Sequence, residues 1–198
     1  MIKRAFFLIL FILLAYHLLN AQNGEFEHWN EQHLRLQKTG MVILGSWAFT
    51  NFAVSGYQMS KTSGNTYYFH QMNVFWNTVN VAIAASGYLS AINAETSLSQ
   101  QETLMELNSF SKILLLNTGL DLAYMSAGLY LRERSRNIAK HSQRFKGYGK
   151  SLLLQGGFLF LFDLLLVIKN EHLTRQFLSH TNVNLSFTPG AFSVVLNF

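Results

Sequence analysis

From Lys38 onward the chain alternates long stretches without charge with short charged connectors. No Asp, Glu, Lys or Arg lies between Lys38 and Lys61 or between Lys61 and Glu95. Residues 113–131 are broken only by Asp121, and residues 151–168 only by Asp163. A helix surrounded by water shows charge on its outer face every turn or two, and these stretches do not. Their lengths predict four membrane spans, at residues 41–57, 67–92, 113–131 and 151–168. A soluble bundle of unusually bare helices is the competing reading, and the Asn, Ser and Thr of the first two stretches favour it most.

The flanks follow other patterns. Residues 1–21 read as a signal peptide, with Lys3 and Arg4, an apolar run to Tyr16, and Leu19-Asn20-Ala21 ahead of Gln22. An uncleaved anchor helix is the alternative. Residues 22–40 interleave Glu25, Glu27, Glu31, Arg35 and Lys38 with Phe26, Trp29, Leu34 and Leu36. This predicts a short external amphipathic helix lying at the membrane surface, with His28 and His33 exposed. Residues 41–170 form the four-helix transmembrane domain. In the external tail, residues 171–198, Val183, Leu185 and Phe187 alternate with polar residues before Thr188-Pro189-Gly190-Ala191, and Phe192, Val194, Leu196 and Phe198 alternate after it. That is a β-hairpin pattern, and two strands are marginal unless they lean on something else. The predicted fold class is all-α: a four-transmembrane-helix bundle preceded by a signal peptide, with a C-terminal β-hairpin-like tail.

Composition sharpens the compartment. Charged residues make up 13% of the 198, about half the share of a soluble domain, and mean hydropathy is +0.16. With no cysteine, a disulfide framework, a thiolate metal site and a Cys nucleophile are excluded. Residues 132–150 carry Arg132, Arg134, Arg136, Lys140, Arg144, Lys146 and Lys150 against Glu133 alone. A basic loop between two apolar runs is explained by the positive-inside rule without nucleic acid. It places residues 132–150 in the cytoplasm, both termini on the external (periplasmic) side, and the chain in the bacterial inner membrane.

The candidate chemistry lies on the inward faces. His70, Asn73, Asn77, Asn80, Ala84, Gly87 and Ala91 recur at alternating three- and four-residue spacing, so they share one face of the second span. The same rule selects Ala48, Asn51, Ser55 and Gln58 on the first span, Asn117, Asp121, Tyr124 and Gly128 on the third, and Gly149, Gly156 and Asp163 on the fourth. At a rise of about 1.5 Å per residue, Asn51, Asn80, Asp121 and Asp163 fall at overlapping depths, about 8 to 18 Å from the external end. The expected buried polar cluster is therefore Asn51, Asn73, Asn77, Asn80, Asn117, Asp121 and Asp163, with His70 nearer the cytoplasmic end. Such groups act either as inter-helix glue or as functional sites, and both readings stand.

Catalytic signatures are missing. There is no Gly-rich phosphate loop, no H-E-x-x-H and no G-x-S-x-G. Asp121 and Asp163 could pair as an intramembrane hydrolase dyad, but neither stands in a Gly-x-Gly-Asp setting. The expectation is a non-enzymatic inner-membrane protein without metal or cofactor. Its partners are the lipid bilayer and either a second copy or a membrane or periplasmic protein. The alternative is a small transporter or proton-linked conduit using the two aspartates.

Three stretches also resemble a family: Gly45-Ser46-Trp47-Ala48 with Asn51; Phe69-His70-Gln71-Met72-Asn73 through Trp76-Asn77-Thr78-Val79-Asn80; and Gln155-Gly156-Gly157 through Phe162-Asp163. The chain resembles an uncharacterised family of small bacterial helical membrane proteins, a domain of unknown function. The resemblance covers roughly residues 41–163. It implies a membrane setting and groups the stripe residues, and it implies no activity.

Overall fold

The computed structural model describes residues 26–181 and, for the tail, the backbone of two strands; the expected signal peptide lies outside the described residues. Four long helices form the body: α1 Glu27–Met59, α2 Gly64–Ile92, α3 Gln100–Asn137 and α4 Ser142–His180. Beyond them β1 Val183–Thr188 pairs antiparallel with β2 Ala191–Leu196, with Val183 opposite Leu196 and Thr188 opposite Ala191.

Short connections fold the helices back on one another. Gly64 enters α2 at φ +59, a backbone conformation that disfavours any side chain. α3 starts in a capping box: Ser99 Oγ accepts from the Glu102 amide, and the Glu102 carboxylate accepts from the Ser99 amide at 2.9 Å.

α4 is the hub. It packs against α1, α2 and α3, whereas α2 and α3 make no backbone approach to each other. The reason lies in its sequence, where small residues punctuate a buried face. A methyl at Gly149 would sit 2.6 Å from the Gly128 carbonyl oxygen and 2.8 Å from Arg132 Cγ. Only paired glycines let α3 and α4 cross this closely. Leu44, Ala84, Leu114, Phe162 and Leu166 fill the centre, and Phe26, Leu107, Leu173 and Phe177 a second, outer core.

Two boundaries differ from the sequence reading. The separate surface helix expected at residues 22–40 does not exist within the described residues, because α1 runs straight through Thr39, Gly40 and Met41. Gly40 does not break it, since Leu166 and Phe162 pack over the glycine. Likewise α4 continues past residue 170 to His180. The helices are about 44 to 59 Å long at 1.5 Å per residue, so α1, α3 and α4 reach beyond α2 as a three-helix extension. By length and apolarity α4 is the one described helix that meets the usual requirement for a membrane span. The inward Asn, Gln and Asp residues dilute the other three.

The crossing yields a contrast to measure. Gly149→Leu should destabilise the fold by about 1–3 kcal/mol, whereas Gly119→Ala, inside α3 with nothing within 4 Å of the new methyl, should stabilise it by up to about 1 kcal/mol. Unfolding titrations followed by circular dichroism would check this, and equal effects would contradict the close crossing.

Candidate functional site

Of the expected polar residues Asn73, Asn77, Asn80, Asp121 and Asp163 are buried and Asn51, His70 and Asn117 half-buried, and they separate into distinct groups along the axis. Towards the basic-loop end, Asn73 Oδ1 accepts from Ser151 Oγ at 2.5 Å and from Gln155 Nε2 at 3.1 Å. Gln155 Oε1 in turn accepts from Trp47 Nε1 at 3.0 Å, so α1, α2 and α4 are tied through one amide pair. Trp47 is held flat against Phe158, ring centroids 3.9 Å apart. Asn77, fully buried, donates to the Asn73 carbonyl at 2.8 Å. His70 is half-buried and meets Ser55 Oγ through Nδ1 at 3.2 Å. Asn51 turns back to its own helix and donates to the Trp47 carbonyl at 2.9 Å. It lies at the edge of the α1–α2 seam and does not join the others.

Asn80, Asn117, Asp121 and Asp163 do converge. They line a cavity of about 330 Å³ set in the gap between α2 and α3, with α4 as its floor. Asn80, Asp121 and Asp163 are buried and Asn117 half-buried. Asp121 on α3 and Asp163 on α4 both line this one space. Trp76 meets Tyr124 edge-on across the gap at 4.6 Å. Trp76 Nε1, Asn80 Nδ2 and Asp121 Oδ2 are all buried without a hydrogen-bond partner, as is Asn77 Oδ1. Three of these four atoms belong to cavity-lining residues, and no Lys, Arg or His lines it.

A third group was missed by sequence reasoning. His33, expected to be exposed, is only 3% accessible. The extension buries it against Phe110, ring centroids 5.2 Å apart, and against Asn170. Its Nδ1–H donates to Asn170 Oδ1 at 3.2 Å and its Nε2 accepts from Gln37 at 2.7 Å. Asn170 Nδ2 donates onward to the Leu107 carbonyl and to Ser111 Oγ, both at 2.8 Å, and Ser111 donates to Glu171 at 2.9 Å. One directed chain thus joins α1, α4 and α3. It requires neutral imidazole, because a proton on Nε2 would face a donor. Burial accordingly lowers the His33 pKa from 6.5 to about 4, the bond to Asn170 opposing part of that fall. A signal was present: Ser151, Gln155, Asp163 and Asn170 lie on one face of α4, but a span ended at residue 168 hides the last of them.

The match to a family model covers residues 43–164, well over half of the chain. The chain belongs to the family of unknown function DUF6992. The DUF6992 stretch contains every residue that lines the cavity and both members of the Asn73–Gln155 pair, while His33 and Asn170 lie outside it. No curated protein and no solved structure matches the chain.

The His33 chain gives stability a pH dependence of known sign. Between pH 6.5 and about 4 the unfolded chain takes up a proton that folded His33 refuses, so stability present above pH 6.5 is lost as pH falls through this window. The difference in unfolding free energy between the native chain and His33→Gln should shift by on the order of 3 kcal/mol from pH 7 to pH 4. A difference that ignores pH would contradict the neutral, buried assignment.

Proposed function

We propose that the chain is a four-span inner-membrane protein that acts through contacts made by its external parts. The observation that carries this is an inverted distribution of polarity. Among the described residues 25 large apolar side chains are exposed, and 24 of them fall within residues 42–57, 75–92, 113–130 and 154–168. The interior at the same level holds Asn73, Asn77, Asn80, Asp121, Gln155 and Asp163. Water outside would make this arrangement costly twice, since burying one large apolar side chain is worth about 1.5–3 kcal/mol and burying a polar one costs free energy. Acyl chains outside reverse both terms. The belt is about 25 Å tall at 1.5 Å per residue, close to the roughly 30 Å of a bilayer's hydrocarbon core.

In this reading α1, α2 and α3 fall short of ordinary span hydropathy because their polar residues point at one another. The basic residues 132–150 face the cytoplasm and the three-helix extension stands outside. The extension carries an open cleft of about 510 Å³ lined by His28, Glu31, Gln32, Arg35 and Lys169 among others. Such a mixed-charge surface suits a protein partner or a second copy.

A chain free of cysteine makes the topology directly measurable. In intact right-side-out vesicles an impermeant maleimide should label Ser97→Cys and spare Lys140→Cys until the membrane is opened. Equal labelling of both, or a chain that stays monodisperse in buffer without detergent, would refute the proposal.

Asp121 and Asp163, both buried and lining one cavity, support a second reading, a proton-linked conduit. Proteoliposomes of the native chain would then dissipate an imposed pH gradient, and Asp121→Asn or Asp163→Asn would abolish the flux at least tenfold. Native and variant vesicles that leak alike would eliminate it.

A further inference from the structure

The cavity between α2 and α3 differs from the rest of the interior in that its polar atoms are unanswered. Elsewhere the buried amides of Asn73, Gln155 and Asn170 find partners on neighbouring helices. Here Trp76 Nε1 and Asn80 Nδ2 are donors without an acceptor, and Asp121 Oδ2 is a carboxyl oxygen without a partner. Asn80 and Asp121 are at least nine-tenths buried. Leaving such atoms unpaired costs about 1–3 kcal/mol each, and all three belong to residues that line one space of about 330 Å³, so a ligand there that pairs with them relieves that cost. We propose that this cavity binds the oxygen-bearing head of an uncharged lipid, entering sideways from the bilayer. The inference rests on the membrane reading above.

Three features set the chemistry. Two free donors call for acceptor oxygens, carbonyl or hydroxyl, and the Asp121 oxygen suits a hydroxyl that can give as well as take. No cationic side chain lines the space, so a phosphate head would bring a negative charge against the aspartate pair with nothing to compensate it. The mouth is apolar and faces outward: Phe75 is 64% exposed, Val79 and Ile83 each 49%, and Leu120 42%. Because α2 and α3 do not close on each other, an acyl chain can remain in the surrounding hydrocarbon while the head reaches Asn80 and Asp121.

The test uses the full chain in nanodiscs and a monoacylglycerol carrying a diazirine near its ester. Photolabelling should concentrate on the α2 and α3 peptides that contain Trp76, Asn80, Leu120 and Tyr124. Excess unlabelled monoacylglycerol should compete, whereas a plain alkane should not. Labelling should fall at least fivefold in Asn80→Leu and in Trp76→Phe, the second of which removes only the donor and keeps the ring against Tyr124. Labelling spread evenly over the outward faces of all four helices, or unchanged in Trp76→Phe, would overturn the proposal. Equal competition by lysophosphatidic acid would overturn the uncharged-head assignment. A detergent-dependent particle with even labelling defeats this proposal alone; a particle monodisperse in plain buffer defeats the membrane reading and this proposal with it.

Discussion

Polar groups sealed away from water must answer one another, and this constraint organises the molecule. Asn73 serves Ser151 and Gln155, Gln155 serves Trp47, and Asn170 serves His33, Leu107 and Ser111. Each such bond has direction and a fixed partner, so it specifies helix register in a way that aliphatic contacts do not. α4 supplies one partner to each of these six pairings, through Ser151, Gln155 or Asn170. Its central position follows: a helix that carries glycines for close approach and amides for cross-links can hold three neighbours at once.

A hub with three partners leaves the other helices free to stand apart. α1 closes on α2, α3 closes on α4, and the space between α2 and α3 stays open except for the Trp76–Tyr124 contact. Structure and chemistry coincide there, since this gap is the one place where the two aspartates and several partnerless atoms meet. At the other end the same helices run on past the apolar belt. Charged side chains reappear outward, and the His33–Asn170 chain takes over the interior. The molecule is thus layered along its axis into an amide-linked end, a cavity, and an extension locked by neutral histidine.

The inward faces of all four helices were legible from period alone. The stripe from His70 to Ala91 is inward or half-buried throughout, and Asp121, Gly128, Gly149, Gly156 and Asp163 are buried. Depth was less legible, because it depends on where each helix begins, and α1 begins at Glu27 rather than at the first uncharged stretch. That displacement left His33 outside the interior, since local charge around residues 25–38 suggests a surface and only the packing of α3 and α4 reveals the burial. Asn51 fails for another reason: between the Gly45–Ala84 and Ser55–His70 contacts it lies level with Asn77, but its amide turns back to the Trp47 carbonyl. Which polar residues pair is a property of helix crossings. Nothing within one helix announces that Asn73 will meet Gln155 while Asn80 meets no one.

The central claim, that hydrocarbon surrounds the belt, can be measured residue by residue with spin labels at Phe49→Cys, Phe75→Cys, Leu116→Cys and Leu161→Cys in reconstituted bilayers. All four should relax strongly with dissolved oxygen and weakly with a water-soluble nickel chelate, with the reverse at Glu31→Cys on the extension. Ready access of the chelate to the four belt positions would contradict it.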